Sequence, residues 1–239
     1  MSPISRSATH GRKTSALYEG SIGDIDYSVK VTVPKYDMTK LIEVNYSRPE
    51  GIETAYYTEP VLGVSNRSVK SLSFSFEGDV LNIHNGFNTA APGYMCLSAF
   101  GGPINYVCEK SDFLSGKWNG GKFMSPSNPC GAVIVKQSST HIVFTISFSE
   151  VPGYKYDIFL KPEEEVRDIT DIKINTNNKL LDCLINTWLP SQIEQSRIMG
   201  RTAFYQCGGA WGFRDQLQDS LAALWLDSAV TRRQIQRCA

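Results

Sequence analysis

Between Gly208 and Asp219 the chain reads Gly-Gly-Ala-Trp-Gly-Phe-Arg-Asp-Gln-Leu-Gln-Asp. Three glycines let backbone come close to a ligand or to another helix. Around them stand two rings (Trp211, Phe213), one guanidinium (Arg214), two carboxylates (Asp215, Asp219) and two amides (Gln216, Gln218). That mixture suits a pyranose. A ring stacks on the sugar face, the carboxylates and amides grip hydroxyls, and the rigid fork of an arginine fixes them in place. Asp215 and Asp219 are four residues apart and share one helix face. An Asp in a first helical turn is also favoured by the helix dipole. A solvated helix start with a local Arg214–Asp215 ion pair would use the same residue types. The neighbouring glycines and aromatic shift the balance to a sugar site, with Arg214, Asp215, Trp211 and Gln216 as its substrate-binding residues. Trp211 and Tyr205 lie in a connection, where each is either a stacking platform or core.

No catalytic residue is assigned within the chain. Gly-x-Ser-x-Gly is absent, as are the phosphate-cradling Gly-x-x-x-x-Gly-Lys motif and a dinucleotide fingerprint. Six cysteines are irregularly spaced, with no Cys-x-x-Cys, and the three histidines are scattered. We therefore expect free thiols, no metal site and no bound cofactor.

The elements that must hold the site fall into two halves. Residues 24–160 read as antiparallel strands, because apolar and polar residues alternate between Gly, Asn, Asp and Pro punctuation. Clear examples are Tyr27–Val33, Ser71–Phe76, Val80–His84, Gly131–Gln137, His141–Ser147 and Lys155–Leu160. Many such strands without intervening helices favour a sandwich. The segment around Tyr56 and Tyr57 reads as an edge strand with a loop. After Pro162 the pattern changes. Leu180, Leu181, Leu184, Ile185 and Trp188 recur at helical spacing, with Trp188 as core, and Pro190 ends or kinks that helix. A second helix is expected from Phe213 to Leu226, with Leu217, Leu221, Leu224 and Trp225 on its buried face. Asp227 or Ser228 caps a third, through Gln236.

The domain boundaries follow: a loosely ordered N-terminus (1–20), a β-sandwich (21–162), a helical linker (163–200) and the start of a helical domain (201–239). Twenty-four basic residues balance 24 acidic ones, so no charge surplus points to nucleic acid. No run of 18 apolar residues predicts a membrane span, and the polar N-terminus predicts a cytoplasmic protein without a secretory signal. The last helix stops at Cys238-Ala239, which reads as the beginning of something larger.

Three segments carry a resemblance. Asn186-Thr187-Trp188-Leu189-Pro190, Arg201-Thr202-Ala203-Phe204-Tyr205-Gln206 and Gly208–Asp219 resemble the pattern of glycoside hydrolase family 94. That family includes cellobiose, chitobiose and 1,2-β-oligoglucan phosphorylases and the phosphorylase-like domain of cyclic β-1,2-glucan synthases. Thr58–Asn66 and Glu109–Leu114 are similar, more loosely, to its sandwich segments. The resemblance implies a β-sandwich, a helical linker and an (α/α)6 barrel, of which this chain would hold only the first helices. It implies inverting phosphorolysis of β-glucosides, with inorganic phosphate as nucleophile and a single carboxylate as general acid. A hydrolase would need a second carboxylate to activate water. It places Arg214 and Asp215 in the donor-sugar subsite, and the general acid and phosphate-holding residues further downstream than this chain reaches. The partners it implies are a β-linked gluco-oligosaccharide or disaccharide and phosphate, with a homodimer possible for the fold. On this reading the chain alone is inactive. The alternative is a non-catalytic carbohydrate-binding or assembly module made of the sandwich.

Overall fold

The computed structural model describes residues 5–11, 15–34, 37–48, 52–63, 66–87, 92–116, 118, 126–136, 139–159, 173–193 and 213–239. The chain divides into two compact units, Met1–Glu165 and Val166–Ala239.

The first unit is built from β1 (Ser5–Gly11), β2 (Ser15–Ile22), β3 (Ile25–Thr32), β4 (Thr39–Tyr46), β5 (Glu53–Thr58), β6 (Leu72–Glu77), β7 (Val80–Asn85), β8 (Tyr94–Phe100), β9 (Ile104–Glu109), β10 (Pro129–Lys136) and β11 (His141–Ser149). Every recorded pairing is antiparallel. Eight strands form one sheet in the order β1-β2-β3-β4-β11-β8-β7-β6, and three form another in the order β5-β10-β9. The N-terminal segment expected to be loosely ordered supplies β1 and β2 of the large sheet. The Tyr56–Tyr57 segment is an edge strand, as read.

Alternation sets the core. Leu81, Ile83, Leu97, Ala99, Ile142 and Phe144 of the large sheet meet Tyr106, Cys108, Val133 and Val135 of the small one. The intervening residues of β9 and β10, Val107, Ala132 and Ile134, face the other side of the small sheet. There Tyr57, Phe113 and Trp118 cover them, Phe113 coming from the short helix α1 (Lys110–Leu114). The three rings stack in sequence, with centroids 4.5 Å apart for Tyr57–Phe113 and 5.6 Å for Phe113–Trp118.

The second face of the large sheet is polar and buried. Asn82, Cys96, Ser98, Thr145, Ser147 and Thr39 all sit there. Their hydroxyls pair across strands: Ser98 with Thr145 at 2.6 Å, and Thr39 with Ser147 at 2.6 Å. Pairing is what makes such burial tolerable, since an unmatched buried hydroxyl costs about 1–3 kcal/mol.

Lys155–Leu160 was expected to be a strand. The described part, through Phe159, is not one. After β11 the chain is pinned by side chains instead of by a ladder. Gly153 N–H donates to Asn82 Oδ1 at 2.8 Å, Tyr154 O–H donates to Asp37, and Lys155 pairs with Asp79 while lying 4.0 Å over the Phe100 ring. Gly153 has φ +81°, and a Cβ there would stand 2.5 Å from Glu77 Oε2. The positive φ breaks any regular strand at Gly153, just before this segment.

The second unit contains α2 (Lys179–Cys183), α3 (Leu189–Ile193), α4 (Phe213–Leu221) and α5 (Ser228–Cys238). Asn178 caps α2, its Oδ1 accepting from Leu180 N at 3.0 Å and Leu181 N at 3.2 Å. Between α2 and α3, Leu184–Trp188 wind as a π-helix. Pro190, the second residue of α3, has no N–H to continue an α-helical ladder. The apolar stripe read as buried is not: Leu180, Leu184 and Trp188 are exposed, Trp188 by 53 %. The charged Glu163–Arg167 stretch lies outside the described residues.

Candidate functional site

Helix α4 opens the segment that carries the candidate site. Its neighbours Gly208, Gly209, Trp211 and Gly212, together with Tyr205, lie outside the described residues. A 3-10 turn, Ala222–Trp225, continues α4, and Asp227 caps α5 by accepting from Ala229 N at 2.9 Å.

The two helices meet through small and polar residues. Thr231 Oγ1 donates to the Ser220 carbonyl at 2.6 Å, and Ser220 Oγ donates to the Leu217 carbonyl at 2.8 Å. Ser220, Ala223 and Thr231 are buried. Gln216, Ser220 and Ala223 fall at positions i, i+4 and i+7, so one stripe of α4 makes this seam. The expected buried face was Leu217, Leu221, Leu224 and Trp225. Leu221, Leu224 and Trp225 are instead exposed. Leucines on the flank cannot let two backbones approach as closely as Ser, Ala and Thr do, and the seam takes the small side.

Arg214 and Asp215 stand in the first turn. Arg214 Nη2 donates to Asp215 Oδ1 at 3.2 Å. The Arg214 side chain is 86 % exposed and that of Asp215 47 %. This is a surface ion pair, and such pairs contribute about 0–1 kcal/mol to stability. Among the described residues, none encloses the guanidinium. Asp215 also sits where the helix dipole favours a negative charge. Asp219, one turn on, lies on the same flank and is half-buried.

Gln216 points the other way round the helix, into the seam. Its Oε1 accepts from Gln234 Nε2 of α5 at 2.8 Å. Gln234 carried no local signal, because an isolated Gln near a helix end reads as solvated surface. Only the packing of α5 on α4 brings it to Gln216. An open dish of about 350 Å³ lies further along the same helices, lined by Leu224, Thr231, Ile235 and others. Arg214 and Asp215 do not line it, and its polar content is small.

In the sandwich, the Tyr57–Phe113–Trp118 stack turns ring faces on one another, and Trp118 Nε1 donates to the Phe113 carbonyl at 3.0 Å. Nearby, Lys110 lies 2.7 Å from Glu59, and Tyr57 O–H donates to the same carboxylate at 2.7 Å. These two donors hold the Glu59 carboxyl below its ordinary range. Cys108 and Cys130 are free thiols, both pushed up to about 12 by burial, which makes them poor nucleophiles. Cys96 and Cys183 are also free, and Cys207 lies outside the described residues. Among the described residues, no three His, Cys, Asp or Glu side chains converge as metal ligands would, and no helix is long and apolar enough to cross a membrane.

Comparison with known proteins bears on the second unit. Residues 166–239 match the glycosyl hydrolase 94 superfamily, catalytic domain. The match has the same bounds as the compact helical unit, Val166–Ala239. Residues 166–239 are thus similar to the catalytic domain of glycoside hydrolase family 94. A relative supports this: the cyclic beta-(1,2)-glucan synthase NdvB of Rhizobium meliloti (strain 1021) is 50 % identical over 68 residues. That alignment takes in 28 % of this chain and 2 % of the synthase, so the chain spans a small part of that relative. The family 94 segment contains Arg214, Asp215, Gln216 and the whole α4–α5 seam.

Proposed function

We propose that the start of α4 furnishes part of the donor-sugar subsite of a family 94 glycoside phosphorylase or β-glucan synthase domain, and that its ligand is a β-linked gluco-oligosaccharide. The observation that carries this is the Arg214–Asp215 contact at a helix start inside the family-matching segment. An ionised carboxylate accepts up to four hydrogen bonds and suits vicinal hydroxyls. The Arg214 fork holds that carboxylate by one oxygen, leaving the other for the sugar. Trp211 supplies the stacking ring.

The reaction follows from this assignment. Inorganic phosphate attacks the anomeric carbon with inversion, and one general acid protonates the leaving oxygen. Both the acid and the phosphate clamp come from residues other than those of α4. The chain therefore performs the recognition step, and turnover requires the remaining groups.

Calorimetric titration of the 239-residue chain with β-1,2-glucotriose tests the reading. Saturable binding is expected, with no release of glucose 1-phosphate when phosphate is added. Asp215→Ala should abolish binding and leave the melting temperature within about 2 °C, because an exposed ion pair contributes little to the fold. Unchanged binding in that variant would remove Asp215 from the subsite.

A further inference from the structure

We infer that residues 150–155 form a strap that lifts off the large sheet as a unit of its own, ahead of any opening of the sandwich, and that Cys96 is the group it hides. β11 ends at Ser149, and Tyr156, at the far end of the strap, is buried. Among the described residues, 150–155 pair with no strand. The Val151 N–H turns back to Ser149 Oγ at 3.2 Å, a bond local to the strap. What holds the strap to the sheet is a set of side-chain bonds: Gly153 N–H to Asn82 Oδ1 at 2.8 Å, the Tyr154 hydroxyl to Asp37, and Lys155 to Asp79. Burial and the Asp37 carboxylate push the Tyr154 hydroxyl up to about 12, so it remains a donor at neutral pH.

Cys96 Sγ donates to the same Asn82 oxygen at 3.3 Å, and Cys96 is 1 % exposed. The backbone N–H groups of Tyr154 and Gly153 lie against that sulfur. The surface beneath is polar, with Asn82, Cys96, Ser147 and Thr39 in register on β7, β8, β11 and β4. Water replaces the lost bonds of such groups, whereas baring hydrocarbon is penalised. Asn82 favours lifting further. Its Oδ1 serves both Cys96 and Gly153, while its buried Nδ2 has no partner among the described residues. A buried orphan donor is costly, and a lifted strap lets water reach it. Cys108 of β9 provides the contrast. It has no exposed surface and belongs to the apolar cluster between the two sheets, so it meets solvent only when the sandwich opens.

The test is alkylation of the full chain by N-ethylmaleimide in urea concentrations below the unfolding transition, read thiol by thiol by peptide mass spectrometry. Each rate is compared with that of the same cysteine in the unfolded chain, which removes intrinsic reactivity. Protection of Cys96 is expected to be at least about tenfold weaker than that of Cys108 and nearly independent of urea, as for a local opening. The β7–β8 amides should stay protected against hydrogen exchange while Cys96 reacts. Tyr154→Phe should weaken Cys96 protection about tenfold further, the loss of roughly one hydrogen bond, and leave Cys108 unchanged. Equal protection of Cys96 and Cys108 in the wild-type chain overturns the strap as a separate unit. Exchange of the β7–β8 amides at the rate at which Cys96 reacts assigns the opening to the sheet edge and overturns it as well. So does unchanged Cys96 protection in Tyr154→Phe, since the strap's bonds would then not be what shelters the thiol. Should that variant fail to fold, the wild-type comparison of the two thiols and the amides decides by itself.

Discussion

Leu97 in β8 and Leu180 in α2 are the same side chain in opposite surroundings. The first has no exposed surface, whereas the second keeps 83 % of its own. The contrast runs through both units. In the sandwich, inward residues of the large sheet such as Leu81, Leu97 and Phe144 join Tyr106, Cys108 and Val133 of the small one in a single buried cluster. In the helical unit, what α4 and α5 press together is Ser220, Ala223 and Thr231, while Leu221, Leu224 and Ile235 face out. An apolar period identifies an element and the face it would bury. Burial itself depends on a second surface of matching shape, which a local pattern does not specify.

The largest effect should come from the sandwich core. Leu97→Ala removes a side chain with no room to relax around it and should cost about 2–5 kcal/mol, read as a lowered urea midpoint. A cost below about 1 kcal/mol would erase the distinction between the two regions. Next comes the cap of α2: Asn178→Ala should cost about 1 kcal/mol of local stability, read as faster amide exchange at Leu180 and Leu181 with the sandwich unaffected.

Acid provides a graded version of the same test. The Thr176 hydroxyl donates to Asp182 Oδ1 at 2.7 Å and the Thr176 N–H to the same oxygen at 2.8 Å. These bonds, the hydroxyl's foremost, hold the Asp182 carboxyl below its ordinary value. A depressed carboxylate stabilises the folded form fully above the unfolded value, about pH 4. That contribution is lost as pH falls through the lower folded value. Acidification below about pH 4 should therefore loosen residues 173–183 by circular dichroism and amide exchange, and Asp182→Asn should remove that dependence. The smallest effect is expected at Leu180→Ser, within about 0.5 kcal/mol. A loss matching that of Leu97→Ala would show that the α2 leucine is covered in solution and would dissolve the comparison.

Much of the sandwich was readable in advance. Ser71–Phe76 and Val80–His84 became the hairpin β6–β7, because strict alternation and a Glu77-Gly78-Asp79 turn leave few other options. β1 and β2 were missed because the polar N-terminus shows little apolar contrast. Lys155–Leu160 was misread because it alternates like a strand, while Lys155 and the two residues before it are held by Asp79, Asp37 and Asn82, each far off in sequence. At the candidate site, the ion pair of Arg214 and Asp215 was legible from adjacency. The direction of Gln216 was not, since it depends on a partner 18 residues away.

The three pins on Gly153, Tyr154 and Lys155 have a mechanical consequence. They draw on three separate places: a strand interior, the residue shortly before β4, and the β6–β7 turn. A pull on the polypeptide downstream of Lys155 would load the Lys155–Asp79 pair first, then Tyr154 and then Gly153. Tension or fraying arising beyond them would have to break all three before reaching β11, which lies between β4 and β8.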